Sequence, residues 1–385
     1  MARPIASRVS WVLDHEYSAA IGLAAGVAAA LTWSALSSSS YFTLFSSRSS
    51  WHLLRVLDVS TVHNAIVNGL MAVFFFSMGL ELSRELSSGT LARPKHAVPP
   101  VLGAIGGMLA TALGSILLGH VLHSEALRRG WGVPMATDVA FTLGVLAIAG
   151  RRLPPLLRVF LLTLAITDDV LSVVVLSVSG TTHLRRDGLI ALAVVVVAGA
   201  LVARRATSNV ASGLLLVVLW ICFAWANIEP ALAGVLAGVL VTSRAPSRQR
   251  LERDATRLSV GVVLPLFALV ACGLHWDNLQ LSGAVGTVVV ATIAIRLVGK
   301  TLGITAGVAI ARLLRFRLDP SLTWPLVATT ALLCAIGFTV PLLFATKLFG
   351  AQSTLYAGFA LGLLMSSAIA AILGGVLLRL QHRPE

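Results

Sequence analysis

Long apolar runs, separated by short polar connections, set the rhythm of this chain. They fall near residues 18–34, 62–82, 98–119, 131–149, 155–179, 188–203, 210–226, 229–242, 258–274, 283–310, 324–346 and 354–378. Each run is apolar on every face, as a helix surrounded by lipid or by other helices must be. Most approach the roughly 20 residues that cross a hydrocarbon layer about 30 Å thick. Strict alternation of apolar and polar residues, the mark of a membrane β-barrel, does not occur. The pattern predicts an all-α polytopic membrane protein of about 12 transmembrane helices, one membrane domain over 1–385. Residues 1–17 form an N-terminal segment, 35–61 an outer connection and 379–385 a tail. The Ser-rich connection, "LSSSSYFTLFSSRSSWHLLRVLDVS", fits a disordered loop, a hairpin or an interfacial helix.

Two of the runs read as broken. The fourth, "WGVPMATDVAFTLGVLAIAG", carries Pro134 and the polar pair Thr137–Asp138. The eleventh contains "AIGFTVP", with Gly337, Thr339 and Pro341 at a similar depth. Interrupted helices at matching places in two halves of a membrane chain point to a binding site. Runs three to five and ten to twelve then form an inverted repeat, with interrupted spans 4 and 11 at the centre of each triplet.

Composition agrees: 57% of residues are hydrophobic and 12% charged, against about 25% charged in soluble domains. The net charge of +13 would suit nucleic acid if it formed one patch. Instead, with the N-terminus inside, most of the 29 Lys and Arg lie at cytoplasmic ends, in stretches such as "RRLPP" and "SRAPSRQRLERDATR". That is the positive-inside rule, with both termini cytoplasmic in a plasma (inner) membrane. The partner implied is membrane lipid, and no nucleic acid is expected. Cys222, Cys272 and Cys334 sit in apolar runs without metal-ligand spacing and read as small buried hydrophobes. No compact leader precedes the first run, so no removed signal peptide is expected.

The chemistry lies in charges inside the runs. "LTLAITDDVLSVVVLSV" places Asp168 and Asp169 side by side, and Asp138 and Lys300 are equally deep. Each costs roughly 2.5–3.5 kcal/mol to insert. One structural ion pair would explain Lys300 and a single acid, leaving two acids over. Neighbouring helical residues point about 100° apart, so one of the adjacent acids can pair with Lys300 while the other lines a wet cavity. Beside hydroxyls (Thr137, Thr167) and carbonyls freed at the break, such an acid offers oxygen ligands to a small hard cation. A buried carboxyl that titrates near neutrality holds a proton or a cation, and each displaces the other. No resident cofactor is expected. An intramembrane aspartyl protease needs acids on facing helices, and a magnesium-dependent lipid-phosphate enzyme needs them at the membrane surface, so no enzyme is expected. Arg296, one turn before Lys300, reads as a snorkelling or locally paired arginine, or as a group that tunes Lys300.

At these residues the chain resembles the NhaA-type sodium/proton antiporters. The matching stretches are "NGLMAVFFFSMGLELSREL", "AIGGM", "ATDVAFTLGVLAIAG", "LAITDDV", "ALAGV", "LPLFAL", "VGKTLGI" and "CAIGFT", in the family's order. The resemblance implies a twelve-helix secondary transporter with crossed, interrupted spans four and eleven. It also implies electrogenic export of Na⁺ or Li⁺ driven by H⁺ entry through alternating access, serving pH homeostasis. By the same resemblance Asp169 is the principal ion ligand, Asp168 its neighbour paired with Lys300, and Asp138 and Thr137 lie at the helix crossing. Glu81, Arg84, Glu85 and Glu252 match a cytoplasmic cluster associated with pH response, and the Ser-rich connection suggests a homodimer. Departures are Ser83 where a lysine is common, Asn68 where aspartate is common, and Glu229, counted with the possible pH-response residues, where a histidine is seen. The rival expectation is a sodium-coupled symporter of a small organic anion on a related fold.

Overall fold

The structure, a computed structural model, describes residues 5–47, 61–149, 154–180, 185–203, 209–241, 246–276, 283–316 and 318–381. Among them there are helices and connections and no strand. In chain order the α-helices are α1 (Ile5–Leu36), α2 (Ser38–Ser46), α3 (Val62–Asn64), α4 (Met71–Ser88), α5 (Pro94–Val121) and α6 (Glu125–Arg129). Next come α7 (Val139–Ala149), α8 (Pro155–Gly180), α9 (Arg186–Ala203), α10 (Asn209–Trp225), α11 (Ala233–Leu240) and α12 (Pro246–Leu258). The last are α13 (Leu264–Ala271), α14 (Gly283–Ala294), α15 (Thr301–Leu313), α16 (Trp324–Leu333), α17 (Thr339–Phe349) and α18 (Thr354–Leu380). Among the described residues seven helical stretches are long and apolar enough to cross a membrane, and shorter apolar helices such as α7, α16 and α17 accompany them. Leu109, Leu113, Leu117 and Val121 form an exposed stripe on α5, as Ile190, Val194, Val197 and Leu201 do on α9. Spacings of three and four residues place each set on one helix face, where a bilayer is the solvent that favours them. The chain is a multi-pass membrane protein.

Several boundaries differ from those expected. From Pro246 on, the basic stretch before run nine is helical and not a connection: α12 continues through a π-helical turn, Ser259–Val263, into α13, while 242–245 lie outside the described residues. Its Arg, Gln and Glu residues are good helix formers, and Pro265, which has no N–H to donate, coincides with the change of winding. Within the expected N-terminal segment α1 already begins at Ile5. Of the Ser-rich connection, 38–46 is helical, with Tyr41 and Phe45 buried, while 48–60 lie outside the described residues, as do 1–4 and 382–385 of the termini.

The chain divides into two compact units, one of 1–21, 90–172 and 274–385, the other of 22–89 and 173–273. In the second, α4 packs along α11 at backbone distance, since a methyl on Gly79 would lie 3.0 Å from Gly238. Tyr41 Oη donates to Leu269 O at 2.6 Å and lies 3.0 Å from Val270 O, tying α2 to the end of α13. In the first unit α5 packs against α15, and α14 against α18. Its core includes Leu143, Leu161, Ile304, Val327, Leu333 and Ala370. Small residues allow such close helix approach in lipid, where packing replaces the hydrophobic effect.

Candidate functional site

Within the first unit two stretches leave the helical path. Between α6 and α7 residues 130–138 are non-helical, and between α16 and α17 so are 334–338. They meet: the Asp138 amide donates to Ile336 O at 2.8 Å, and Thr137 Oγ1 donates to Cys334 O at 3.0 Å. Asp138 opens α7, its Oδ1 accepting from the Phe141 amide at 3.2 Å. A carboxylate there satisfies an orphan N–H and complements the positive helix end. Thr339, the first residue of α17, lies beside the same carboxyl. Gly337 sits where the strands of chain are closest, because a methyl group there would be 2.6 Å from Ala136 O and 3.2 Å from Asp138 N. Gly337→Ala is therefore expected to push the two stretches apart and lower the melting temperature by several degrees. An unchanged melting curve in detergent would mean that this contact relaxes without cost.

Two buried cations from one helix complete the cluster. Arg296 and Lys300 lie in a π-helical segment, Ile295–Lys300, and both are 0% exposed. Arg296 donates from Nη1 to Pro134 O at 2.9 Å, from Nη2 to Ala136 O at 3.0 Å, and from Nε to Ala335 O at 2.9 Å. Lys300 Nζ donates to Asp168 Oδ2 at 2.7 Å and also to Met135 O. Three consecutive carbonyls, 134 to 136, are thus taken by side chains of one neighbouring helix. This corrects two expectations. These freed carbonyls are engaged by protein donors, because an orphan carbonyl buried without a donor is costly. Arg296 does not snorkel: it is buried and bonded to backbone.

The adjacent acids separate as helical geometry requires. Asp168 faces Lys300, while its Oδ1 is buried without a hydrogen-bond partner, as is Asp138 Oδ2. Asp169 is 2% exposed, so the wet cavity expected beside it is closed in this conformation. Cys334, read from sequence as an inert small hydrophobe, lies within electrostatic reach of Asp168, Asp169, Arg296 and Lys300. Thr167 Oγ1 donates along its own helix to Thr163 O at 2.7 Å, leaving its lone pairs for accepting. Among the described residues no three His, Cys, Asp or Glu side chains form a metal-holding group. Sequence reading also missed Ser367, whose Oγ accepts from the Gly337 amide at 3.0 Å. The Ser pair in the apolar "LMSSAIAA" was its one visible sign.

In the second unit Arg84 gathers three acids. Its Nη1 is 2.5 Å from Glu252 Oε1 on α12, and its Nη2 is 3.3 Å from Glu81 and 3.8 Å from Glu85. The Arg84 side chain is 45% exposed, so each pair contributes at most about 1 kcal/mol. Glu252→Gln is accordingly expected to leave the melting temperature within about two degrees of the parent. A fall of many degrees would give Glu252 a structural weight this geometry does not support. Ser83 is buried on the same helix. Glu229 is not part of this group. It precedes the short turn Pro230–Leu232 at the start of α11. Gly234 packs on Ala72 and Gly238 on Phe76 and Leu80, so Glu229 lies near the other end of α4, roughly 20 Å away at 1.5 Å per residue. Asn68 is buried in the π-helical segment Ala65–Leu70, its carbonyl accepting from Trp220 Nε1 at 2.8 Å.

A multi-pass helical protein that keeps paired and unpaired charges where its helices break belongs to the class of membrane proteins that handle ions within the bilayer. Comparison with known proteins agrees. The sequence model of the family described as Na⁺/H⁺ antiporter 1 matches residues 10–378. A relative named Na(+)/H(+) antiporter NhaA 2, from Kineococcus radiotolerans, is 38% identical over 99% of this chain and 87% of its own length. NhaA of Acidovorax sp. is 36% identical over 96% of this chain and 92% of its own. NhaA of Escherichia coli (strain K12) is 36% identical over 83% and 84%. The chain belongs to the Na⁺/H⁺ antiporter 1 family. These relatives are named as transporters rather than enzymes.

Proposed function

We propose that this protein is an electrogenic Na⁺(Li⁺)/H⁺ antiporter that exports sodium in exchange for protons by alternating access. The observation that carries the reading is the division of labour between adjacent acids: Asp168 is neutralised by Lys300, and Asp169, next to it on α8, is not the acid that Lys300 binds. Asp169 is then the site for which a proton and a cation compete, with Asp168 beside it and Asp138 and Thr137 fixing the crossing. A proton entering at Asp169 expels the sodium ion, and a sodium ion arriving from the other side expels the proton. Net charge moves only if more than one proton enters per sodium ion. On this reading proton and cation therefore compete for the buried aspartates together, Asp169 with its neighbour Asp168, and not for one carboxyl alone. On this reading the non-helical stretches 130–138 and 334–338 interrupt spans four and eleven of twelve. Each is the middle of one half of an inverted repeat, within a single transport domain.

The same reading places both termini in the cytoplasm of a cell whose plasma membrane holds the protein, serving pH homeostasis as a homodimer in lipid. Arg84 with Glu81, Glu85 and Glu252 would supply the pH response, with Glu229 outside that group. Sodium-coupled import of an organic anion gains no support from the named relatives. The test uses everted membrane vesicles, energised by respiration and loaded with a pH-sensitive dye. Adding Na⁺ or Li⁺ should collapse the proton gradient. No response at any pH between about 6 and 9, the range in which a perturbed carboxyl titrates, overturns the proposal.

A further inference from the structure

A fully buried guanidinium is expensive unless its donors and its charge are both accommodated. Arg296 has its donors accommodated, by three carbonyls drawn from two separate stretches of chain. Its charge is treated differently. Among the described residues none of its nitrogens forms an ion pair, whereas Lys300, one turn along, is paired with Asp168. The guanidinium is effectively always protonated, so a permanent positive charge stands beside acids that it does not bind.

We propose that Arg296 is a positioning residue for cation/proton exchange. It clamps stretch 130–138 to stretch 334–338 and so fixes the crossing beside which cation and proton are exchanged. The inference rests on the exchange reading given above. Geometry supports the clamp. Nη1 and Nη2 take Pro134 O and Ala136 O on one stretch while Nε takes Ala335 O on the other. Gly337, adjoining Ala335 and Ile336, has no side chain to interfere, and a methyl there would meet Nη2. A planar fork can span three oxygens on two strands of chain; a lysine ammonium, a point donor, cannot. The ionisable groups facing the guanidinium are Asp168 on α8, Asp138 at the start of α7, and Cys334 after α16. Lys300 lies on its own helix, and Asp169 adjoins Asp168. The packed parts of α5 (103–118) and α18 (358–374) contribute no ionisable side chain. No other fixed positive charge in this set could replace Arg296, since Lys300 is committed to Asp168.

The experiment compares the parent with Arg296→Gln and Arg296→Lys, each purified and reconstituted in proteoliposomes. Sodium-driven proton release is followed over a range of sodium concentrations, together with thermal melting. Both variants lose the planar fork that spans the two stretches. Each should show a KM for sodium raised severalfold while kcat changes little. Absence of exchange in the parent defeats the antiport reading itself. Exchange in the parent, with a folded Gln variant that copies its KM, overturns this inference alone. Should the Gln variant fail to fold, the Lys variant decides: raised KM with near-parental kcat supports the proposal, and parental KM overturns it. Failure of both to fold makes Arg296 a requirement for assembly and also overturns it.

Discussion

Asp169→Asn is expected to abolish sodium-driven proton movement, a loss of more than about a hundredfold, in a protein that still folds. An amide is nearly the same shape as the carboxyl it replaces, so packing around a residue only 2% exposed is conserved. What it lacks is a proton to exchange and a negative charge to offset a cation's lost water. Exchange in dye-loaded proteoliposomes and melting of the same preparation separate the two properties. A folded Asn variant that still releases protons on adding sodium would remove Asp169 from the centre of the mechanism.

Lys300→Ala is expected to have the largest effect on stability. The pair it breaks is buried on both sides, 0% and 1% exposed, with Nζ 2.7 Å from Asp168 Oδ2. Removing one partner of such a pair typically costs about 3–5 kcal/mol, because the other charge is left in a medium that cannot solvate it. Asp168 Oδ1 already lacks a hydrogen bond, so the variant leaves the whole carboxyl without a donor from Lys300. Met135 O loses its donor as well. Thermal melting of parent and variant in the same detergent tests this. A variant that melts with the parent would show that the ion pair contributes nothing to holding α8 against the π-helical turn.

Much of the architecture could be read from residue order alone. The apolar runs gave nearly all the long helices, because a bilayer forces every buried N–H and C=O into a helical bond. Pro134 and Gly337 announced the two departures from that rule; charge and helical angle implied that one of the adjacent acids pairs with Lys300, and the family resemblance pointed to Asp168. Boundaries were less legible. α12 and the N-terminal part of α1 are polar helices, and a search keyed on apolar length passes over them. The winding changes at Ala65–Leu70, Ser259–Val263 and Ile295–Lys300 leave little mark in composition, since a π turn uses ordinary residues. For Arg296 the sequence left snorkelling, local pairing and tuning of Lys300 open, and the structure removes the first. A long side chain four residues from Lys300 can reach lipid headgroups or the protein interior, and only the positions of 134–136 and 335 decide which. The burial of Cys334 was legible, but its place beside the charged cluster was not, and Ser367 left only the Ser pair as a sign, because the surroundings of both come from distant parts of the chain.

The engagement of the 134–136 carbonyls by Arg296 and Lys300 bears on the cargo. Channels that strip an ion bare do so by offering rings of backbone oxygens in place of its hydration shell. Here each of those oxygens already accepts from a protein donor. A cation bound at Asp169, on the antiport reading, would find only their second lone pairs and keep more of its own water than an ion in such a filter.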